Sequence, residues 1–326
     1  MTRPVTILGA GAFGTALAMV MAANGRDTRL WGRPGSAMAD VIAQRENARH
    51  LPGLRFPAEL QVSDTLSSVL DRQKDAAVIL LAVPAQSLRR LLLEHRDSLR
   101  GALLVACCKG VERGTGLLPA DVIDDVIPGA RSAVLTGPSF AADIASGKPT
   151  ALTLATRDPE GEALQELLAT PSLRLYLNDD PVGAQLGGAL KNVIAIGAGI
   201  AIGADLGESA RSALMTRGFA EMVRFAESQG AARETLFGLS GFGDLVLTCT
   251  SSLSRNMRHG LAIGSGQVAE GAVTVEGVMT AHALAEMTSQ ADLPVTHMVS
   301  ALLKGHMSLS EAVAALMLRP LRHEGY

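Results

Sequence analysis

The spacing of hydrophobic positions along this chain changes once, near residue 178. Before that point, short runs of Val, Ile, Leu and Ala are separated by segments of helical period. Pro4-Val5-Thr6-Ile7-Leu8 reads as a buried strand, residues 12–23 as an apolar helix ended by Asn24-Gly25, and residues 27–31 as a second strand. Further strands are predicted at 76–83, 102–106, 132–135 and 150–155, with helices at 86–95 and 117–126 between them. This alternation predicts an α/β unit with a doubly wound, mostly parallel sheet.

After Asn178-Asp179-Asp180-Pro181 the alternation stops. Helices are predicted at 181–204, 208–228, 244–250, 254–263, 277–289 and 294–303, and Ser308-Leu309-Ser310-Glu311 opens a last one with a capping-box pattern. Gly183-x-x-x-Gly187 and Gly199-x-x-x-Gly203 put small residues on one helix face, a pattern of close helix packing. The change of period divides the chain into a unit of residues 1–180 and an all-α unit of residues 181–326.

Length agrees with two domains, because 326 residues exceed the roughly 250–300 at which a single core stops growing. Hydrophobic residues make up 48% and aromatics only 3%, so the interior must be built from Ala, Leu, Val, Ile and Met. A net charge of -3 without any dense Lys/Arg run excludes a nucleic-acid or membrane-surface footprint and points to a small-molecule partner. Cys107, Cys108 and Cys249 have no zinc-ligand spacing and cannot all pair. No metal site is predicted, and buried thiols in a reducing cytoplasm account for them. The first 23 residues imitate a secretory signal only superficially, since glycines stand at fixed positions and a strand follows Gly25. The apolar run 193–204, ended by Asp205, falls short of the roughly 20 residues that span a bilayer.

Chemistry enters at Gly9-Ala10-Gly11-Ala12-Phe13-Gly14, a G-x-G-x-x-G turn between the first strand and the first helix. Gly9 permits the tight turn, Gly11 lets the backbone approach a pyrophosphate, and Gly14 lets the helix pack on the strand. The anion would then sit at the helix N-terminus, which reads as a Rossmann dinucleotide-binding domain, with a mere glycine-rich turn as the alternative. An NAD-binding unit places an acid about 20 residues on, to hold the ribose 2′-hydroxyl. This chain has Trp31-Gly32-Arg33 there and no carboxylate before Asp40. Arg33 therefore suits a 2′-phosphate, hence NADP in preference to NAD, or it stacks on the adenine face, which serves either, or it is a plain surface arginine. Beyond the predicted strand ends lie Cys108-Lys109-Gly110 and Gly137-Pro138-Ser139-Phe140-Ala141, where doubly wound sheets bind ligands. Lys109 alone also reads as a surface lysine, and Gly137 and Ser139 as turn and cap residues.

The helical half carries a sharper anomaly. Residues 187–200 are small or apolar except for Lys191 and Asn192. A buried ammonium must be paired or lose its proton, unless the side chain reaches solvent along the helix edge. Gly238-Leu239-Ser240-Gly241-Phe242-Gly243-Asp244 presents Asp244 just before a helix, as a functional carboxylate or an N-cap. Ser251-Ser252-Leu253-Ser254-Arg255-Asn256 offers hydroxyls, a guanidinium and an amide at a helix start, suited to a phosphate or to simple capping.

Taken together, Gly9 to Leu17, Cys108-Lys109-Gly110, Thr136 to Ala141, Gly188-Ala189-Leu190-Lys191-Asn192-Val193, Gly241-Phe242-Gly243-Asp244-Leu245 and Thr250 to Asn256 resemble the bacterial NAD(P)-dependent glycerol-3-phosphate dehydrogenase family. The resemblance covers residues 4–318, and its motifs keep the family's order and spacing. It implies a Rossmann domain followed by an all-α domain of the 6-phosphogluconate dehydrogenase-like type, a cytoplasmic homodimer, and no membrane insertion. The implied reaction interconverts sn-glycerol 3-phosphate and dihydroxyacetone phosphate and supplies the former for phospholipid synthesis. By resemblance Lys191 is the general acid/base, with Lys109 and Asn192 at the substrate oxygen. Gly137, Ser139, Asp244, Ser254, Arg255 and Asn256 complete the substrate site. Ala12, Phe13, Arg33, Lys109, Ala141, Arg255 and Glu276 join Gly9, Gly11 and Gly14 on the cofactor. Thr274 replaces a commoner aliphatic residue, Cys107-Cys108 a commoner small or hydroxyl-bearing pair, and Ile202 a frequent acid. A 3-hydroxy-acid dehydrogenase with a lysine base would have no use for Ser254-Arg255-Asn256. A non-catalytic nucleotide sensor would have none for Lys109, Lys191 and Asn192 together.

Overall fold

The computed structural model describes residues 3–70, 77–267 and 275–317. Strands β1 (Val5–Leu8), β2 (Thr28–Trp31), β3 (Gln61–Ser63), β4 (Val78–Leu81), β5 (Leu103–Ala106), β6 (Arg131–Thr136), β7 (Thr150–Ala155) and β8 (Leu173–Asn178) form one sheet. Their order is β3-β2-β1-β4-β5-β6-β7-β8. All neighbours run parallel except β6 and β7, which pair antiparallel through Leu135 and Leu154. Strands β3 and β8 extend the predicted set: β3 has too few residues to give a periodic signal, and β8 is an edge strand that alternates buried and exposed positions from Leu173 to Tyr176.

Helices α1 (Ala12–Ala23), α2 (Ser36–Gln44), α3 (Leu66–Val69), α4 (Ala85–Leu99), α5 (Pro119–Val126), α6 (Ala141–Ala145) and α7 (Gly161–Leu168) connect the strands. Two cores result. Val5, Ile7, Val78, Leu80, Val105 and Leu135 face α1 and α6, whereas Leu8, Ile79, Leu81, Ala106 and Val134 face α4 and α5. The order reverses between β1 and β4, and in such sheets that switch point, at the carboxyl ends, is where ligands bind.

The remaining elements are α8 (Pro181–Gly203), α9 (Gly207–Ser228), α10 (Arg233–Phe237), a π-helical turn at Leu239–Gly243, α11 (Asp244–Thr250), α12 (Arg255–Gly264), α13 (Glu276–Met287), α14 (Pro294–Leu303) and α15 (Leu309–Met317). Asp180 starts α8: its Oδ1 accepts from Gly183 N at 2.9 Å and its Oδ2 from Ala232 N at 2.9 Å, with Pro181 preset for the first turn. Helix α8 is long and apolar enough to match a membrane span, yet 89% of its most apolar window is buried by α9, α11, α12, α13 and α14. It is the core around which the others pack. Gly199 and Gly203 of α8 meet Gly260 and Gly264 of α12 backbone to backbone. A Cβ on Gly199 would sit 2.8 Å from Leu261 N, and one on Gly260 would sit 2.9 Å from Ile200 N.

The loop predicted at 238–244 is the π-helical turn, and Asp244 is the first residue of α11, after Gly243 at the cap. Ser308 Oγ accepts from Glu311 N at 3.3 Å and Ser308 N donates to Glu311 Oε2 at 2.7 Å, closing the predicted capping box. Thr274 and the predicted strand start at residue 76 lie outside the described residues.

Candidate active site

The carboxyl ends of the strands deliver the sheet's share of the site. Gly9, at φ +123, makes the turn after β1, where its N–H donates to Trp31 O at 2.8 Å. A Cβ on Gly14 would collide with Gly9 O, whereas a Cβ on Gly11 would meet nothing within 4 Å. Gly9 and Gly14 are therefore small for packing, and Gly11 is small over open space. The first turn of α1, with Ala12 and Phe13, has no side-chain cap and no acidic residue. Its N–H groups are thus free to receive an anion. Gly32 packs against Ala10, and Arg33, exposed at the end of β2, stands beside this turn. Ala141 opens α6, which packs on α1. This arrangement fits a dinucleotide.

Lys109 lies beyond β5, Gly137 and Ser139 beyond β6, and the helical half meets them there. Lys191 is 6% exposed and Asp244 1%. Lys191 Nζ donates to Asp244 Oδ1 at 2.9 Å and to Thr248 Oγ1 at 2.6 Å. Lys109 Nζ donates to Asp244 Oδ2 at 2.5 Å and to Gly137 O at 3.1 Å. One carboxylate thus holds both ammonium groups, one from each half of the molecule. Of the readings open for Lys191, pairing holds and a solvent-reaching side chain does not. A Cβ on Gly188, one turn earlier in α8, would come within 2.8 Å of the Thr136 hydroxyl and 3.5 Å of the Lys109 stem. That glycine is what lets α8 lie against the end of β6.

The charges shape one another. Burial pushes the Lys191 pKa down, the nearby Lys109 charge adds to this, and Asp244 opposes it, leaving the net value lowered. Burial alone would raise Asp244, but the two ammoniums outweigh it and hold the carboxyl below its ordinary range. Glu276, first residue of α13, is raised by burial against the pull of Arg255, Lys109 and Lys191. The three cysteines are buried free thiols, and burial pushes Cys108 and Cys249 up to about 12.

At the start of α12, Ser254 caps the helix, its Oγ accepting from Met257 N at 3.1 Å, while the exposed Arg255 follows it. Capping and ligand binding are compatible here, because the Ser254 proton remains free to donate. Asn256 Nδ2 donates to Asn192 Oδ1 at 2.8 Å, and Gly277 N donates to Asn256 Oδ1 at 3.0 Å. Among the described residues, Ser139 Oγ donates to Gly137 O, at 3.4 Å.

Three residues at the site escaped the sequence reading. Thr248 is one helical turn beyond Asp244, a spacing that could have revealed it. Asn47 Nδ2 donates to Ala10 O and Thr15 Oγ1, both at 2.9 Å, pinning the glycine-rich turn from a loop without any period. His50, on the same loop, is lowered by burial and by the charges of Arg49 and Arg255, which brings that loop toward α12.

Residues 4–162 match the family model for the NAD-dependent glycerol-3-phosphate dehydrogenase N-terminus, and residues 180–314 match that for its C-terminus. The chain belongs to this glycerol-3-phosphate dehydrogenase family. It is 51% identical over 324 residues to the NAD(P)+ glycerol-3-phosphate dehydrogenase of Ruegeria sp. (strain TM1040), covering 98% of this chain and 99% of that one. A relative of the same name from Cereibacter sphaeroides is 51% identical over 325 residues, covering 98% and 100%. The crystal structure of the Coxiella burnetii glycerol-3-phosphate dehydrogenase superposes with a TM-score of 0.91 at 34% identity, covering 98% of this chain and 99% of that chain. The Rossmann and all-α halves are those of the glycerol-3-phosphate dehydrogenases, and the chain is an NAD(P)-dependent oxidoreductase.

Proposed function

We propose that this chain interconverts sn-glycerol 3-phosphate and dihydroxyacetone phosphate with Lys191 as general acid and base. The observation that carries the mechanism is the shared grip of Asp244 on Lys191 and Lys109 inside a buried site. An ammonium has three N–H donors. Lys191 uses two, on Asp244 and Thr248, and Lys109 uses two, on Asp244 and Gly137. The third N–H of each is left for the oxygen on C2 of the substrate.

A nicotinamide dinucleotide held by the Gly9–Gly14 turn, Arg33 and Ala141 would supply the hydride acceptor for oxidation at C2 and the hydride donor for reduction. In oxidation, neutral Lys191 takes the C2 hydroxyl proton as the carbonyl forms. In reduction, the Lys191 ammonium gives that proton back, while Lys109 and Asn192 stabilise the developing alkoxide. Asp244 balances the two lysines, so that burial can lower Lys191 without expelling it from the site. Ser254, Arg255 and the first turn of α12 receive the phosphate, together with Asn256, Gly137 and Ser139.

Residues 1–180 form the cofactor unit in this reading, and 181–326 the substrate unit. Arg33 favours NADPH over NADH through its 2′-phosphate. The enzyme works as a cytoplasmic homodimer without membrane insertion or nucleic-acid partner, and supplies glycerol 3-phosphate for phospholipid synthesis. The deciding experiment is NADPH oxidation as a function of added dihydroxyacetone phosphate, repeated with NADH. Oxidation must require the ketone and run faster with NADPH. Oxidation driven equally by a 3-keto acid, or no turnover at all, overturns the assignment.

A further inference from the structure

Asn192 can face the substrate oxygen with either end of its amide, and only the NH2 end stabilises an alkoxide. The structure contains the means of choosing. The N–H of Gly277, the second residue of α13, can only donate. It points at Asn256 Oδ1 from 3.0 Å in a buried contact. Asn256 must therefore turn its oxygen toward α13 and its Nδ2 toward α8, where the partner is Asn192 Oδ1 at 2.8 Å. Asn192, in turn, must give its oxygen to Asn256 and turn its Nδ2 away from it, toward Gly188, the residue of α8 that meets Thr136 and Lys109. One Nδ2–H goes to Gly188 O at 3.3 Å and the other remains uncommitted. We infer that the backbone N–H of Gly277, acting through Asn256, positions Asn192 as an obligate donor to the substrate oxygen.

Flipping either amide is penalised at both of its ends. A flipped Asn256 would face the Gly277 N–H with its NH2, donor against donor. A flipped Asn192 would set NH2 against the Asn256 NH2 and its own oxygen against Gly188 O. Each buried mismatch strands a polar group away from water. The glycine at position 277 is part of the device, since a Cβ there would lie 2.7 Å from both Asn192 O and Asn256 Oδ1. Only a residue without a side chain brings the start of α13 this close. The relay joins the helix carrying the substrate lysine to the one that begins with Glu276, so Asn256 is a positioning residue for Asn192 as well as a phosphate contact.

This inference rests on the reading of Lys191 and Asn192 as substrate-oxygen groups, and its test separates the two. Asn256→Asp keeps the shape and still accepts from Gly277 N, but its second oxygen repels Asn192 Oδ1 and invites the Asn192 NH2. Asn192 then turns its oxygen to the substrate. The expected result is a fall in kcat of about a hundred-fold, the scale of losing one oxyanion donor, with the NADPH Kd nearly unchanged. Dihydroxyacetone, the same ketone without its phosphate, must show the fall too. With dihydroxyacetone as substrate, Asn256→Asp should produce no further loss in an Asn192→Ala background, the mark of two residues acting through one group. Additive losses, or a loss confined to the phosphorylated ketone, overturn the inference. If Asn256→Asp does not fold, Asn256→Ala goes through the same cycle with the same two criteria. Absence of wild-type turnover would instead defeat the reading of the site. The relay then stands or falls on the side-chain amide resonances of Asn192, which must shift and lose protection from exchange in Asn256→Asp.

Discussion

Removing the Lys191 amine should abolish proton transfer while leaving the cofactor in place. Lys191→Ala is expected to lower kcat by about 10²–10⁴, the usual contribution of a positioned acid or base, with NADPH affinity retained. Turnover near wild type would end the assignment. The pH dependence follows from the direction of the shift. Burial, helped by Lys109, leaves Lys191 below its ordinary lysine value. Oxidation needs neutral Lys191, so its kcat should rise with pH through the Lys191 pKa, and reduction needs the ammonium, so its kcat should fall through the same pKa. Asp244 is the group that holds this pKa up. In Asp244→Asn the rising oxidation limb must therefore move to lower pH, along with the falling reduction limb. A limb that stays put, or moves to higher pH, would show that Asp244 does not face the titrating lysine.

At the level of elements, the site depends on how closely α12 lies on α8. Gly260 presses on the backbone of Ile196 and Ile200, and the same crossing brings Asn256 to Asn192. Gly260→Ala forces the two backbones apart and should destabilise the fold by about 1–3 kcal/mol, seen as a lower denaturant midpoint. It should also raise KM for dihydroxyacetone phosphate more than KM for NADPH, since Ser254, Arg255 and Asn256 ride on α12. Equal shifts in both would mean that the crossing serves stability alone. These helices could be read from the chain: Asp180-Pro181 announces the start of α8, and the spaced glycines announce close packing. The antiparallel β7 could not be, because strand direction is set by how a connection crosses the sheet and leaves no mark on the strand's own apolar pattern. The site divides likewise. Lys191 stood out as a charge in an apolar run, and Asp244 and Ser254 as polar residues at helix starts. The pairing of Asn192 with Asn256, 64 residues apart, and of Asn256 with Gly277, 21 apart, exists only where three helices meet.

For the whole molecule, a net charge of -3 conceals a cluster of cations around Asp244. Lys109 joins it from the sheet and Lys191 from the helices, Arg255 lies close enough to act on Glu276, and Arg33 stands beside the glycine-rich turn. In the proposed reading two anionic ligands, a dinucleotide and a phosphorylated ketone, meet walls that come from different halves of the chain. A ligand bound to such walls stabilises the folded state by mass action, about 2.7 kcal/mol at a hundred times its Kd. That makes Arg33 testable without turnover. If its guanidinium meets the 2′-phosphate, Arg33→Ser should weaken NADPH binding about ten-fold, roughly 1.4 kcal/mol, and leave NADH within two-fold of wild type. At equal concentrations the rise in thermal midpoint given by NADPH should shrink toward that given by NADH. A stacking role predicts something else, since the adenine is common to both cofactors and both rises would shrink together. The two outcomes separate a charge that selects the cofactor from a surface that merely holds it.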